Sequence, residues 1–292
     1  MRHRTDRISV IRTEIRRLAL ISALIVIGAC RRDGGGEPLP PGDYTPRPSS
    51  NDLPAAGSDR ARIRADALRR AKVWLPPSAP IPSVDFTRNP PGPGGFDTDA
   101  VIPCRFELKS SEGRTPKFQC VVAGGDVLKV KYGRNNPETF GEVAATRLVA
   151  ALGFGADRMH VVARVRCFGC PAYPYPKVGI FDALRTDWSR AVDFDMAVIE
   201  RRREGLEIEG GWAWPELSAI DPAAGGATRA EVDALRLLAV FLNNWDAKPV
   251  NQRLLCAPGS STRCEQPMAY MQDLGQTFGP KSIDLDGWSR TP

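Results

Sequence analysis

Apolar and polar positions run in short, strand-length blocks through the middle of the chain and change to helical spacing further on. Val101–Leu108, Lys117–Val122 and Val127–Tyr132 are three such blocks. Ser110-Ser-Glu-Gly113 and Ala123-Gly-Gly-Asp126 separate them, and Gly with Asp supplies the positive φ of tight hairpins. The pattern predicts a three-stranded meander. A helix follows, with Asn136 as cap, Pro137 at its first position and Glu138 in its first turn. Phe140, Val143, Ala144, Leu148 and Leu152 form its expected buried face, and Gly153 ends it. Met159–Cys167 reads as a fourth strand, Lys177–Phe181 as a fifth, and Phe194–Arg203 as a helix.

Later segments are also punctuated. Thr228-Arg-Ala-Glu231 is a capping box opening a helix to Asn243, with Val232, Leu235, Leu238, Ala239 and Leu242 as its stripe. The aromatic loop Gly210–Pro215 reads as packing. Gln252–Cys256 and Met268–Gln272 are strand-like. Ahead of all this, residues 31–60 hold almost no large apolar side chains and cannot order themselves by burial. Residues 59–74 have Ile63, Ala67, Leu68 and Val73 near helical spacing, and 75–100 return to Pro/Gly-rich coil. The expectation is a tether over 31–100 with a short helix, and a folded part that starts near Val101.

Composition adds one correction. The net charge is +6, but six arginines against Asp6 and Glu14 put most of it in residues 1–30. The remainder is nearly balanced, which argues against a nucleic-acid partner. Those thirty residues have a basic start, an apolar run from Leu18 to Ile27, and the ending Ile27-Gly28-Ala29-Cys30. The run has signal-peptide length, well short of the roughly 20 apolar residues of a spanning helix. The ending resembles a bacterial lipobox, with Cys30 as the lipidated residue and membrane anchor; the alternative is a plain signal peptide or signal anchor. Arg31 after the cysteine points to the outer membrane under the enterobacterial sorting pattern. The expected location is the cell envelope.

Six cysteines remain: Cys104, Cys120, Cys167, Cys170, Cys256 and Cys264. An even set in an exported chain reads as disulfides, and fifteen pairings are open. Local pairing is preferred here: Cys104 with Cys120, Cys256 with Cys264, and Cys167 with Cys170. A zinc site on Cys167-x-x-Cys170 is the alternative.

The candidate chemistry lies in two short motifs. Asp246-x-Lys248-Pro249-x-Asn251 follows the capped helix, and Asp273-Leu274-Gly275 follows the last strand. Phosphoryl transfer needs a lysine on the phosphates, acidic and amide ligands for magnesium, and a carboxylate near the accepting hydroxyl. Lys129 and Lys131 lie two apart on the third strand, so both project from one face. Glu142 on the next helix is placed to pair with one of them. Asp246 would orient or deprotonate the acceptor, Lys248 would touch the terminal phosphate, and Asn251 and Asp273 would hold the metal. Read singly, each residue is equally an ordinary turn former or a solvated charge.

In this order the residues resemble the protein kinases. Leu128-Lys129-Val130, then Gly141-Glu-Val-Ala-Ala-Thr-Arg-Leu and Leu152-Gly-Phe154, are similar to the secretory-pathway casein kinases and to HipA-like kinases. The resemblance covers roughly residues 101–280 and rests on short motifs. It implies an α+β, two-lobed kinase-like fold, with an antiparallel N-lobe over 101–185 and a partial, helical C-lobe over 186–292. It also implies Mg2+ or Mn2+ with ATP or another nucleotide, a protein or small-molecule acceptor, and Lys129 as the phosphate lysine. The departures are Asn244-Trp245 in place of His-Arg, the lack of a Gly-x-Gly-x-x-Gly loop, and the long insert between Asn251 and Asp273. They leave an active phosphotransferase, a pseudokinase that binds without turnover, and an unrelated disulfide-rich lipoprotein as readings. If Cys30 is the anchor, Cys30→Ser should move the protein out of the membrane fraction and abolish labelling by a fatty-acid analogue.

Overall fold

The computed structural model describes residues 38–47, 57–109, 115–175, 187–260 and 263–279. The signal segment with Cys30, the turn at 110–113 and the expected strand at Lys177–Phe181 lie outside them. The described chain is mixed α and β, with mostly antiparallel sheet and few helices.

The expected meander forms. Val101–Glu107 (β1), Lys117–Val121 (β2) and Val127–Lys131 (β3) pair antiparallel, with Cys120 opposite Leu128 and Phe118 opposite Val130. Gly124 and Gly125 turn the second hairpin at φ 93° and 81°, a conformation that side chains with a Cβ resist. Helix α1, Gly57–Arg70, precedes the meander in the chain, and helix α2, Pro137–Ala151, follows it. Its cap forms as expected, the Asn136 side chain accepting the Glu138 N–H. Its buried face differs from the expected one. Ala145, Thr146 and Val149 are buried while Ala144 is exposed, because the helix is covered on more than one side.

Arg158–Phe168 (β4) and Ala191–Arg201 (β5) pair antiparallel along their length. β5 replaces the helix expected over Phe194–Arg203. Ala197, Val198 and Ile199 are buried in succession, so this strand is covered on both faces and lacks the alternation that marks a half-exposed strand. The order β1–β2–β3–β5–β4 closes into a barrel through parallel pairing of β1 with β4. Phe106, Phe118, Leu128, Val130, Val165 and Ile199 fill it.

A second sheet holds Leu206–Ile208 (β6), Gln252–Cys256 (β7) and Met268–Met271 (β8), all antiparallel. Helix α3, Arg229–Phe241, packs on it with Val232, Leu235, Leu238 and Ala239. Thr228 and Glu231 complete the capping box reciprocally, at 3.2 Å and 2.6 Å.

The folded part begins well before Val101. Helix α1, Gly57–Arg70, buries Ile63, Ala67 and Leu68 in the same core as Leu235, Trp212 and Leu254. Arg64 binds Glu216 through both guanidinium nitrogens, at 2.9 and 2.7 Å. The irregular 75–100 segment is also pinned: the Asn89 amide donates to Phe96 O and Val161 O and accepts from Val161 N–H. Tether is therefore the wrong description for residues 57–100. No helix among the described residues is long and apolar enough to cross a membrane.

The three local disulfides form: Cys104–Cys120, Cys167–Cys170 and Cys256–Cys264, with Cα–Cα distances of 5.7, 5.6 and 5.0 Å. Cys167 and Cys170 are thus bonded to each other and are not half of a zinc site. On α3, Leu235→Ala should cost about 2–5 kcal/mol, whereas Leu237→Ala, at a position 70% exposed, should stay within about 0.5 kcal/mol; urea melts of the two variants check the contrast.

Candidate functional site

The alternation of β3 places Leu128 and Val130 inside the barrel and sends Lys129 and Lys131 to the other face, towards α2. There Lys131 is almost wholly buried and bonds Glu142 of α2, and Glu200 of β5 at 3.1 Å. Lys129 reaches the same Glu200 at 2.7 Å from a more open position, its side chain 35% exposed against 5% for Lys131. Glu142 therefore pairs with Lys131 and not with Lys129, contrary to the preference drawn from the resemblance. The two lysines share a face; only depth separates them, and two residues further along β3 the ammonium comes under α2.

Charges in this cluster move one another. Burial pushes the Glu142 carboxyl up to about 7 against the pull of Lys131, and repulsion from Glu200 and Asp273 adds to the rise. Burial also acts to raise Glu200, but Lys131 and Lys129 outweigh it and hold that carboxyl well below the usual range. Lys131 stays charged: burial opposes the charge, and Glu142, Glu200 and Asp273 overcome that. Lys117, opposite Lys131 on β2, has its ammonium pushed down by burial and then by Lys129 and Lys131.

The facing wall comes from the segment after α3. Trp214 Nε1 donates to Ala247 O at 3.1 Å and holds this loop. Within it the Asn251 amide donates to Asp246 O at 2.8 Å and to Asp246 Oδ2 at 3.2 Å, and Lys248 lies 3.0 Å from the Asp246 carboxylate. Asn251 is buried at the start of β7, and its carbonyl accepts the Gln272 N–H at 3.0 Å. That bond extends the β7–β8 ladder by one step and sets Asp273 beside the loop. Asp273 Oδ1 accepts the Gly275 N–H at 3.3 Å.

Between the walls lies a cleft of about 130 Å³, bounded by Lys129, Glu142 and Glu200 on one side and Asn251, Gln272 and Asp273 on the other. The structure so brings together Lys129, Glu142, Asn251 and Asp273, with Lys131 joined through its ion pair. Asp246 sits behind Asn251, and Lys248 is exposed and reaches the cleft only through Asp246. Among the described residues no three His, Cys, Asp or Glu side chains are grouped as a metal site. Asp273 and the Asn251 amide do fit magnesium, which takes one or two protein oxygens and completes its shell with phosphate and water.

Glu200, Arg253 and Gln272 bound the cleft and Lys117 lies beside it, and none of them stands in the two motifs. Glu200 stood in a segment read as helix; the signal was a lone acid closing the apolar run Ala197–Ile199. Lys117 carried no local signal. Behind the cleft, buried Asp157 accepts the Arg203 N–H at 3.1 Å and the Tyr270 hydroxyl at 3.4 Å, linking the ends of β5 and β8. Comparison with family models, with curated proteins and with solved structures gave no match.

Burial, with Glu200 adding to it, pushes the Asp157 carboxyl up to about 7 from its usual 3.8. An acid raised in the folded state holds a proton that the unfolded chain has lost, so its contribution falls as pH rises from about 4 to 7. Asp157→Asn keeps an acceptor for Arg203 and removes the charge. The variant's melting temperature should decline less steeply than the parent's between pH 4 and 7; equal slopes would refute the assignment.

Proposed function

We propose that the chain is an exported, membrane-tethered, kinase-like protein that binds a magnesium– or manganese–nucleotide and transfers phosphoryl to a hydroxyl on a protein or small molecule. One observation carries this reading: the buried Lys131–Glu142 ion pair faces Asn251 and Asp273 across a single cleft. In kinases a third-strand lysine, fixed by a glutamate of the next helix, meets the phosphates, and an Asn and an Asp hold the metal. On this reading the barrel with α2 is the upper lobe, and α3 with the second sheet is the core of the lower one.

The roles follow from position. Lys131 meets the α/β-phosphates, and Lys129 adds a second ammonium beside it. Asn251 and Asp273 hold the metal, which when bound neutralises charge on the terminal phosphates. Asp246, just behind Asn251, takes the acceptor proton, and Lys248 leans towards the terminal phosphate. The envelope location rests on the Cys30 motif, and the three disulfides accord with an oxidising compartment.

A pseudokinase that binds without turnover is the second reading. It is favoured by Asp246, whose carboxylate already accepts from both Lys248 and the Asn251 amide.

With Mg-ATP at a hundred times its dissociation constant the protein should gain about 2.7 kcal/mol of stability. Asp273→Ala and Asn251→Ala should each remove that gain, read by thermal shift. A retained shift with no phosphate release selects the pseudokinase reading, and no shift at all defeats both.

A further inference from the structure

We infer that this cleft reads a metal-bound polyphosphate chain and not a nucleobase, so that inorganic triphosphate fills it as well as a nucleoside triphosphate does. The inference rests on the kinase-like reading above and narrows its substrate class.

The first ground is the lining. Apart from Val250, every described residue bounding the cleft is charged or an amide, and Val250 is itself 65% exposed. A nucleobase has a polar edge but two flat π faces, and its binding usually relies on aromatic or apolar groups against those faces. Sites that take drug-sized ligands are mostly apolar and aromatic and run to about 300–1,000 Å³. A polar cleft of about 130 Å³ has the size and character for phosphate and a metal ion.

The second ground is what occupies the wall beside Lys131. Lys129 and Glu200 are joined there at 2.7 Å, with the Glu200 side chain only 4% exposed. A base laid against this wall would cover the pair with apolar surface and add no hydrogen bond to it, which is unfavourable for buried charge. Among the described residues no aromatic ring bounds the cleft. Phe106, Phe118, Tyr132 and Phe194 stack on one another at the barrel core, and none of them bounds the cleft.

The third ground is a cation in waiting. Lys117 stands opposite Lys131 across the β2–β3 pair, and no carboxylate among the described residues is within ion-pair distance of it. Lys117 does not itself bound the cleft, but its register opposite Lys131 puts it on the same face as the two cleft lysines; burial and those lysines act against its charge, and Asp273 acts for it. An arriving polyanion would relieve that repulsion. Lys129, Lys131 and Arg253, by contrast, already have Glu200, Glu142 and Glu207. Lys117 is therefore the lysine whose partner is the ligand.

The test is a titration calorimetry and thermal-shift series on the protein with Mg2+ and, in turn, inorganic triphosphate, ATP and adenosine. Triphosphate and ATP should bind within about threefold of each other, and adenosine should neither bind nor displace triphosphate. Lys117→Met should weaken triphosphate and ATP equally, by about tenfold, as the loss of one charge-assisted contact. Lys117→Arg should restore most of it, which separates a lost contact from a misfolded variant. ATP binding more than about thirtyfold tighter than triphosphate, or competition by adenosine, overturns the inference and leaves the kinase-like reading intact. If neither phosphate ligand binds, both are wrong.

Discussion

A single ammonium organises this protein. Lys131 is buried, and a buried charge without partners is too costly to persist. Glu142 answers it from α2 and Glu200 from β5, so helix, third strand and fifth strand must come together for the lysine to be tolerated at all. Removing one member of such a set leaves the others exposed to the full desolvation cost. Asp273 from the far side of the cleft feels the same group. Chemistry and fold thus depend on the same few atoms.

Within the cluster burial pushes Glu142 up, while Lys131 and Lys129 together overcome burial and hold Glu200 down. Two carboxylates driven in opposite directions thus flank one ammonium, with Asp273 across the cleft from them. The departures around Asp246 bear on turnover and leave this electrostatic arrangement untouched.

Much of this was legible in the residues where the governing interaction is local. The capping box at Thr228, the Asn136-Pro137 start of α2, the Gly124-Gly125 turn and the β7–β8 pair are written within a few positions of themselves. So were the three disulfides, each between near neighbours. What failed was non-local. β5 has Phe194 and Val198 four apart, a helical spacing, and it becomes a strand only because β3 and β4 cover both its edges. α1 sits in a polar, proline-rich stretch and is fixed by contacts more than 140 residues away, such as Arg64 with Glu216. Lys129 and Lys131 share a face, so periodicity could name the pair but not which of them α2 would cover.

The disulfides have a mechanical side. Cys104–Cys120 and Cys167–Cys170 stay with the barrel strands, and Cys256–Cys264 closes the loop between β7 and β8. Among the described residues no disulfide crosses from the barrel to the second sheet. Oxidation stiffens each half separately, and the seam between them, where the cleft lies, is held by ion pairs, hydrogen bonds and side-chain packing alone. Oxidation therefore hardens each half while leaving the cleft's seam to packing, with Ala145 and Val149 of α2 in the same core as Leu235 and Leu254.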